Sequence, residues 1–114
     1  MEAPNYDLIL VAVNRGNTDT VMDAARAEGA RGGTVLHARR VGYEDQESLL
    51  GFTLQPEKEI VAILTPRAQK HALMVAINKA CGLATEANGL LFSLPVGEMM
   101  GLQPPIPQEP AESE

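Results

Sequence analysis

The segment EIVAILTPRAQKHALMVAINKACGLATEANGLLFSLPV, Glu59 to Val96, decides the fold. It reads as an apolar strand over Glu59 to Leu64, a helix with Thr65 as N-cap and Pro66 as its first residue, and a glycine-bounded loop from Gly82 to Gly89. A further strand follows over Leu90 to Leu94. Proline suits the first helical position because its fixed φ is already helical and its missing N–H would have no partner there. Leu73, Ala76, Ile77 and Ala80, with Met74 and Cys81 beside them, recur at the spacing of one buried helix face. Pro95 stands where a strand end tolerates a lost donor.

A looser copy of this plan precedes it. Tyr6 to Asn14 holds Leu8-Ile-Leu-Val-Ala-Val13, apolar on both alternating faces, as a central strand requires. Arg15-Gly16 closes that strand, and Asn17 or Thr18 is placed to cap a helix whose apolar face is Val21, Met22 and Ala25. Gly29 stops the helix. Gly32-Gly33 then opens a second strand, Thr34 to Val41, with the polar content of an edge. The order is β-α-β-β-α-β with the two most apolar strands first and third, and in the ferredoxin-like arrangement those two lie at the centre. The expected architecture is therefore α+β, an antiparallel four-stranded sheet with two helices on one face. Its other face needs a partner, so a homo-oligomer is expected.

With 114 residues the chain is one domain, assigned to 1-102, and a net charge of -6 disfavours nucleic acid as a partner. No window approaches the roughly 18 apolar residues of a membrane span, and the start lacks the basic and apolar regions of a signal peptide. A cytoplasmic protein that does not span a membrane is expected. Cys81 is the single cysteine, which excludes an intrachain disulfide. Residues 103-114, with four prolines and three glutamates, hold too little apolar surface to offset the entropy of ordering and read as a disordered tail. Residues 42-55 read as a long exposed connection with a short hairpin around Leu49 to Leu54, of a length that is often functional.

Gly33-Thr34-Val35 opening a strand, the long loop after it, Glu59 to Leu64, and Gly89-Leu-Leu-Phe-Ser-Leu-Pro-Val96 together resemble the P-II nitrogen-regulatory signalling proteins. The likeness spans about Tyr6 to Val96, and its most specific piece is the Phe-x-Leu-Pro-Val ending. The resemblance implies a ferredoxin-like homotrimer that binds an adenine nucleotide between subunits. It implies a regulator of a partner enzyme, transporter or regulator rather than an enzyme, with 42-55 as the effector loop and nitrogen status as the signal. The ligand site it implies is lined by Thr34, Arg40 and Gly42 on one wall and by Thr85, Asn88 and Gly89 on the other. This chain departs from the family at Asn88 for aspartate, Ala87 for glycine, Leu90 for a phosphate-binding lysine and Arg40 for glycine. With that lysine missing, AMP, ADP or another small anion is expected to be favoured over ATP.

Two other readings share the architecture. His37 near Arg39 would serve as acid or base in a small ferredoxin-like isomerase or monooxygenase. A trimeric binding protein related to the metal-tolerance proteins is the other, although His37, His71 and Cys81 show no paired spacing of a zinc site, and no metal ligand is assigned.

Overall fold

The computed structural model describes residues 5–41 and 57–101. The 42-55 loop with its hairpin, the site residue Gly42 and the 103-114 tail lie outside the described residues. The order of elements is β1 (Tyr6–Asn14), α1 (Thr18–Ala27), β2 (Thr34–Arg39), β3 (Glu57–Pro66), α2 (Arg67–Cys81) and β4 (Leu90–Pro95). All neighbouring strands pair antiparallel, in the spatial order β2-β3-β1-β4. This is the ferredoxin-like arrangement, with the two most apolar strands at the centre.

Side chains alternate across a strand, and the burial of β1 alternates with them. Ile9, Val11 and Val13 are fully buried and share one core cluster with Val61 and Ile63 of β3, Val21, Met22 and Ala25 of α1, and Leu73, Ile77 and Cys81 of α2. Both helices therefore cover one face of the two central strands. The buried face of α2 is narrower than its composition suggests, because Ala80 is exposed. No β2 residue enters the cluster.

The helix starts are made differently from the sequence expectation. Asn17 precedes α1 but gives no side-chain cap; its amide donates instead to the Asn14 carbonyl at 3.0 Å. Glu59 takes over part of that work from β3, accepting the Gly16 N–H at 3.1 Å and the Thr18 hydroxyl at 2.7 Å. Thr65 and Pro66 belong to β3 and not to the helix, since Tyr6 pairs with Pro66 and Asp7 with Thr65. The helix begins at Arg67, and Pro66 supplies no side-chain cap. Strand pairing has overridden a local capping signal there.

Buried Asp7 anchors the start of α2. Arg67 Nε and Nη2 donate to its carboxylate at 3.0 and 2.9 Å, and Lys70 Nζ lies 3.0 Å from its other oxygen. The hydrogen bonds from Arg67 hold the Asp7 carboxyl below the usual range against the opposing effect of burial, and the same pairing pushes the Arg67 guanidinium up.

Among the described residues nothing covers the second face of the sheet. Antiparallel pairing places Leu8, Leu10, Leu36, Ile60, Phe92 and Leu94 together on it. Leu36, Phe92 and Leu94 are 49%, 44% and 46% exposed, so the patch is continuous from β2 to β4. A patch of this kind marks an association surface. Among the described residues no helix is long and apolar enough to cross a membrane.

Candidate functional site

One end of the sheet gathers polar chemistry. Lys58 is the second residue of β3 and is nearly buried, yet it carries a cation whose only hydrogen bond among the described residues is to Asn14 Oδ1, at 2.7 Å. No carboxylate of the described residues lies within ion-pair distance of it. Burial lowers the Lys58 ammonium below the usual lysine value, and the positive charge of Arg40 lowers it further. Lys58 and Arg40 thus lie near enough for their charges to act on each other, on either side of the 42-55 segment. A buried cation that has no carboxylate partner among the described residues is one that an incoming anion would stabilise.

Arg40 lies just past the end of β2, at Arg39, rather than within the strand. Thr34 is at the opposite end of β2, paired with Ala62. Thr34 faces a cavity of about 630 Å³ whose lining includes Leu8, Gly33, Ala62, Leu64 and Gln69. Neither Arg40 nor the Thr85 to Gly89 segment lines it. A Cβ at Gly33 would stand 3.1 Å from the Ala62 carbonyl oxygen and 3.2 Å from Val61 Cγ1, so glycine is what lets the α1–β2 connection lie close against β3. The largely apolar lining with a few polar groups suits a flat organic ring better than a bare ion.

The Gly82 to Gly89 loop is held by its own hydrogen bonds. Thr85 donates to the Gly82 carbonyl through both its N–H, at 3.0 Å, and its hydroxyl, at 2.8 Å. The N–H groups of Asn88 and Gly89 are bonded to the carbonyls of Thr85 and Cys81, at 2.9 and 2.7 Å. Asn14 closes the arrangement: its N–H donates to the Ala87 carbonyl at 2.9 Å and its side-chain amide to the Glu86 carbonyl at 3.3 Å. The N–H groups of Thr85, Asn88 and Gly89 are thus committed within the chain. Asn88 takes the left-handed conformation, φ 52°, that turns the loop into β4.

The two walls expected for a ligand site stand apart in one chain. Leu36, Ile60, Ala12 and Leu90 form one row across the sheet, so the end of β2 and the loop before β4 share an end of the sheet but lie at opposite edges. Three strand spacings, about 14 Å, separate them. They meet only if two copies adjoin. Lys58, Asn14 and Gln69 are not among the site residues expected from the sequence, and the bond between Lys58 and Asn14 joins strands far apart in the chain.

With this geometry in hand, comparison with known proteins gives a match in structure alone. The chain superimposes on the crystal structure of the Arabidopsis thaliana PII protein bound to citrate, with a TM-score of 0.65 over 88% of this chain and 82% of that one. The fold is PII-like. Sequence identity to that protein is 20%, so the likeness speaks to fold. No family profile and no curated protein matches the sequence.

His37, the candidate acid or base, places Nδ1 3.9 Å from Glu59 Oε2, with 79% of its side chain exposed. Glu59 is held below the usual carboxylate range, first by the Thr18 hydroxyl and next by the Gly16 N–H, and is already engaged as an anchor for α1. Cys81 is buried, and burial pushes its thiol up, away from the reactive thiolate. Among the described residues no group of three or more His, Cys, Asp and Glu side chains is placed to hold a metal ion.

Proposed function

We propose that this chain is a P-II-like regulatory protein rather than an enzyme. In this reading it works as a homotrimer, takes a small anionic ligand at the boundary between subunits, and acts on a partner protein through the 42-55 loop. The observation that carries the reading is Lys58, a nearly buried cation that lacks a carboxylate partner among the described residues and sits beside Arg40 at the base of that loop. A ligand that neutralises Lys58 changes the charge balance at the loop's two attachment points, which links occupancy to what a partner would meet.

Two further observations support it. The uncovered apolar face supplies an association surface, and association is what would bring one copy's Thr85 to Gly89 segment toward another's Arg40. The Arabidopsis thaliana PII structure of similar fold is bound to citrate, and this supports a small anion as the ligand to test here. For an adenine nucleotide, Lys58 and Arg40 take the phosphates. Leu90 adds no charge, so AMP or ADP binds better than ATP. Nitrogen regulation is the signalling context that the family likeness suggests.

A panel of AMP, ADP, ATP, citrate and divalent metals read by melting temperature tests this. A rise of several degrees with an anion and none with a metal supports the reading. Silence to every anion with a metal-dependent rise would replace it by metal binding.

A further inference from the structure

Asn14, the last residue of β1, joins β3, the Gly82 to Gly89 loop and the turn into α1. It stands opposite Lys58 in the pairing of β1 with β3, so the two side chains share one face of the sheet, and Asn14 Oδ1 accepts from Lys58 Nζ at 2.7 Å. The Asn14 side-chain nitrogen donates to the Glu86 carbonyl at 3.3 Å, and its N–H donates to the Ala87 carbonyl at 2.9 Å. Its own carbonyl accepts from the Asn17 N–H at 3.2 Å and from the Asn17 side-chain amide at 3.0 Å.

These partners fix which way the Asn14 amide points. An ammonium only donates and a carbonyl only accepts, so the oxygen must face Lys58 and the nitrogen Glu86. The loop side of this link is itself anchored, because Ala87 is 2% exposed and belongs to the core cluster. A lysine ammonium ends a flexible four-carbon stem, and holding it in place at a strand end needs an acceptor that is itself held. Asparagine supplies that acceptor without a charge. A carboxylate at the same position would neutralise the cation it holds, whereas the amide fixes the ammonium and leaves its charge to attract an anion.

We infer that Asn14 is a positioning residue of the anion site, which aims the Lys58 ammonium through its side-chain oxygen while the Gly82 to Gly89 loop holds its nitrogen. The inference rests on the reading of Lys58 as a ligand contact and adds the residue that orients that contact. It also gives the loop a part in the site within one copy of the chain. The loop's N–H groups are committed to its own carbonyls, but its Glu86 and Ala87 carbonyls reach Lys58 by way of Asn14.

The test is a double-mutant cycle on the full chain, with wild type, Asn14→Leu, Lys58→Met and the variant carrying both changes, read by calorimetric titration of ADP and of citrate. Asn14→Leu is expected to weaken the better-bound anion about fivefold or more in the wild-type background and less than about twofold in the Lys58→Met background, where no ammonium is left to aim. Asn14→Asp keeps the size and an oxygen toward Lys58, and is expected to weaken the same anion about tenfold or more by neutralising the cation, with the circular dichroism of a folded chain. Equal losses from Asn14→Leu in the two backgrounds would make Asn14 a residue of general structure and overturn the inference. Asn14→Asp binding like wild type would overturn it too, and decides alone if Asn14→Leu does not fold. In either case weaker binding by Lys58→Met leaves the reading of Lys58 standing. Lys58→Met that binds like wild type, or a wild type that binds neither anion, overturns that reading and this inference with it.

Discussion

The backbone N–H of Gly89 donates to the Cys81 carbonyl at 2.7 Å, so the segment between α2 and β4 closes back on the last turn of the helix. A Cβ at residue 89 would run into that carbonyl oxygen and stand 3.1 Å from Val13 Cγ1. Close backbone approach makes glycine necessary here. Gly89→Val is expected to cost about 1–3 kcal/mol or more through forced shifts in a packed region. Gly97→Ala, where an added Cβ meets nothing within 4 Å, is expected to melt like wild type. Thermal melts of the two variants side by side check this; equal melting temperatures would show that residue 89 is an ordinary strand position.

Acid sensitivity is expected to depend on Asp7. Its carboxyl is held below the ordinary value of 3.8 by Arg67 and, secondarily, by Lys70. A depressed folded-state value means that the stabilisation is fully present above the unfolded value and is lost as pH falls through the folded one. Asp7→Asn is therefore expected to melt below wild type at pH 7, with the gap narrowing as the pH is lowered below 3.8. Melting curves across pH 2 to 7, as about five steps of one unit, give the readout, and a gap that does not change with pH would remove the ion pair from the account.

The uncovered sheet face is expected to drive assembly. Phe92→Glu puts a charge at the middle of the face formed with Leu8, Leu10 and Ile60, where burial of an unpaired carboxylate is costly. Light scattering at micromolar concentration is expected to give a trimer for wild type and a monomer for the variant. An unchanged mass for Phe92→Glu would move the interface elsewhere.

Removing residues 103-114 is expected to leave melting and assembly unchanged. The removed segment has one large apolar side chain, Ile106, too little apolar surface to hold it against a core. Calorimetric melting of the truncated chain checks it; a fall of more than a few degrees would mean that this segment contributes to the folded assembly.

The strand order was legible because Leu8 to Val13 and Ile60 to Leu64 are apolar at every position, and only central strands with one face under helices and another facing a partner need that. The edge character of β2 was legible in the polar residues His37 and Arg39, which a strand buried on both faces would not carry. Thr65-Pro66 misled because the capping signal is local, whereas its pairing with Asp7 and Tyr6 is contributed by the far end of the chain. The commitment of the Thr85 to Gly89 donors could not be read either, since glycine and threonine spacing marks a turn without saying where its N–H groups point. Lys58 was hidden for a related reason: its burial and its bond to Asn14 join residues 44 positions apart, and no local pattern records such a contact. Thr34 and Arg40, named together from the sequence, lie near opposite ends of β2, and one ligand would have to run the length of that strand to touch both.

Lys58 separates the functional account from a structural one most directly. A buried cation kept for structure would lower stability when removed, whereas one kept for a ligand costs the free protein and repays that cost only on binding. Calorimetric titration of ADP and of citrate into wild type and Lys58→Met, a variant that keeps the volume and removes the charge, is the decisive measurement. The account predicts that at least one of these anions binds wild type and binds Lys58→Met about ten- to a hundredfold more weakly, the loss of one charge-assisted contact worth about 1.5–3 kcal/mol, while the variant melts no lower than wild type. Equal affinity in the two proteins, with a lower melting temperature for Lys58→Met, would contradict it.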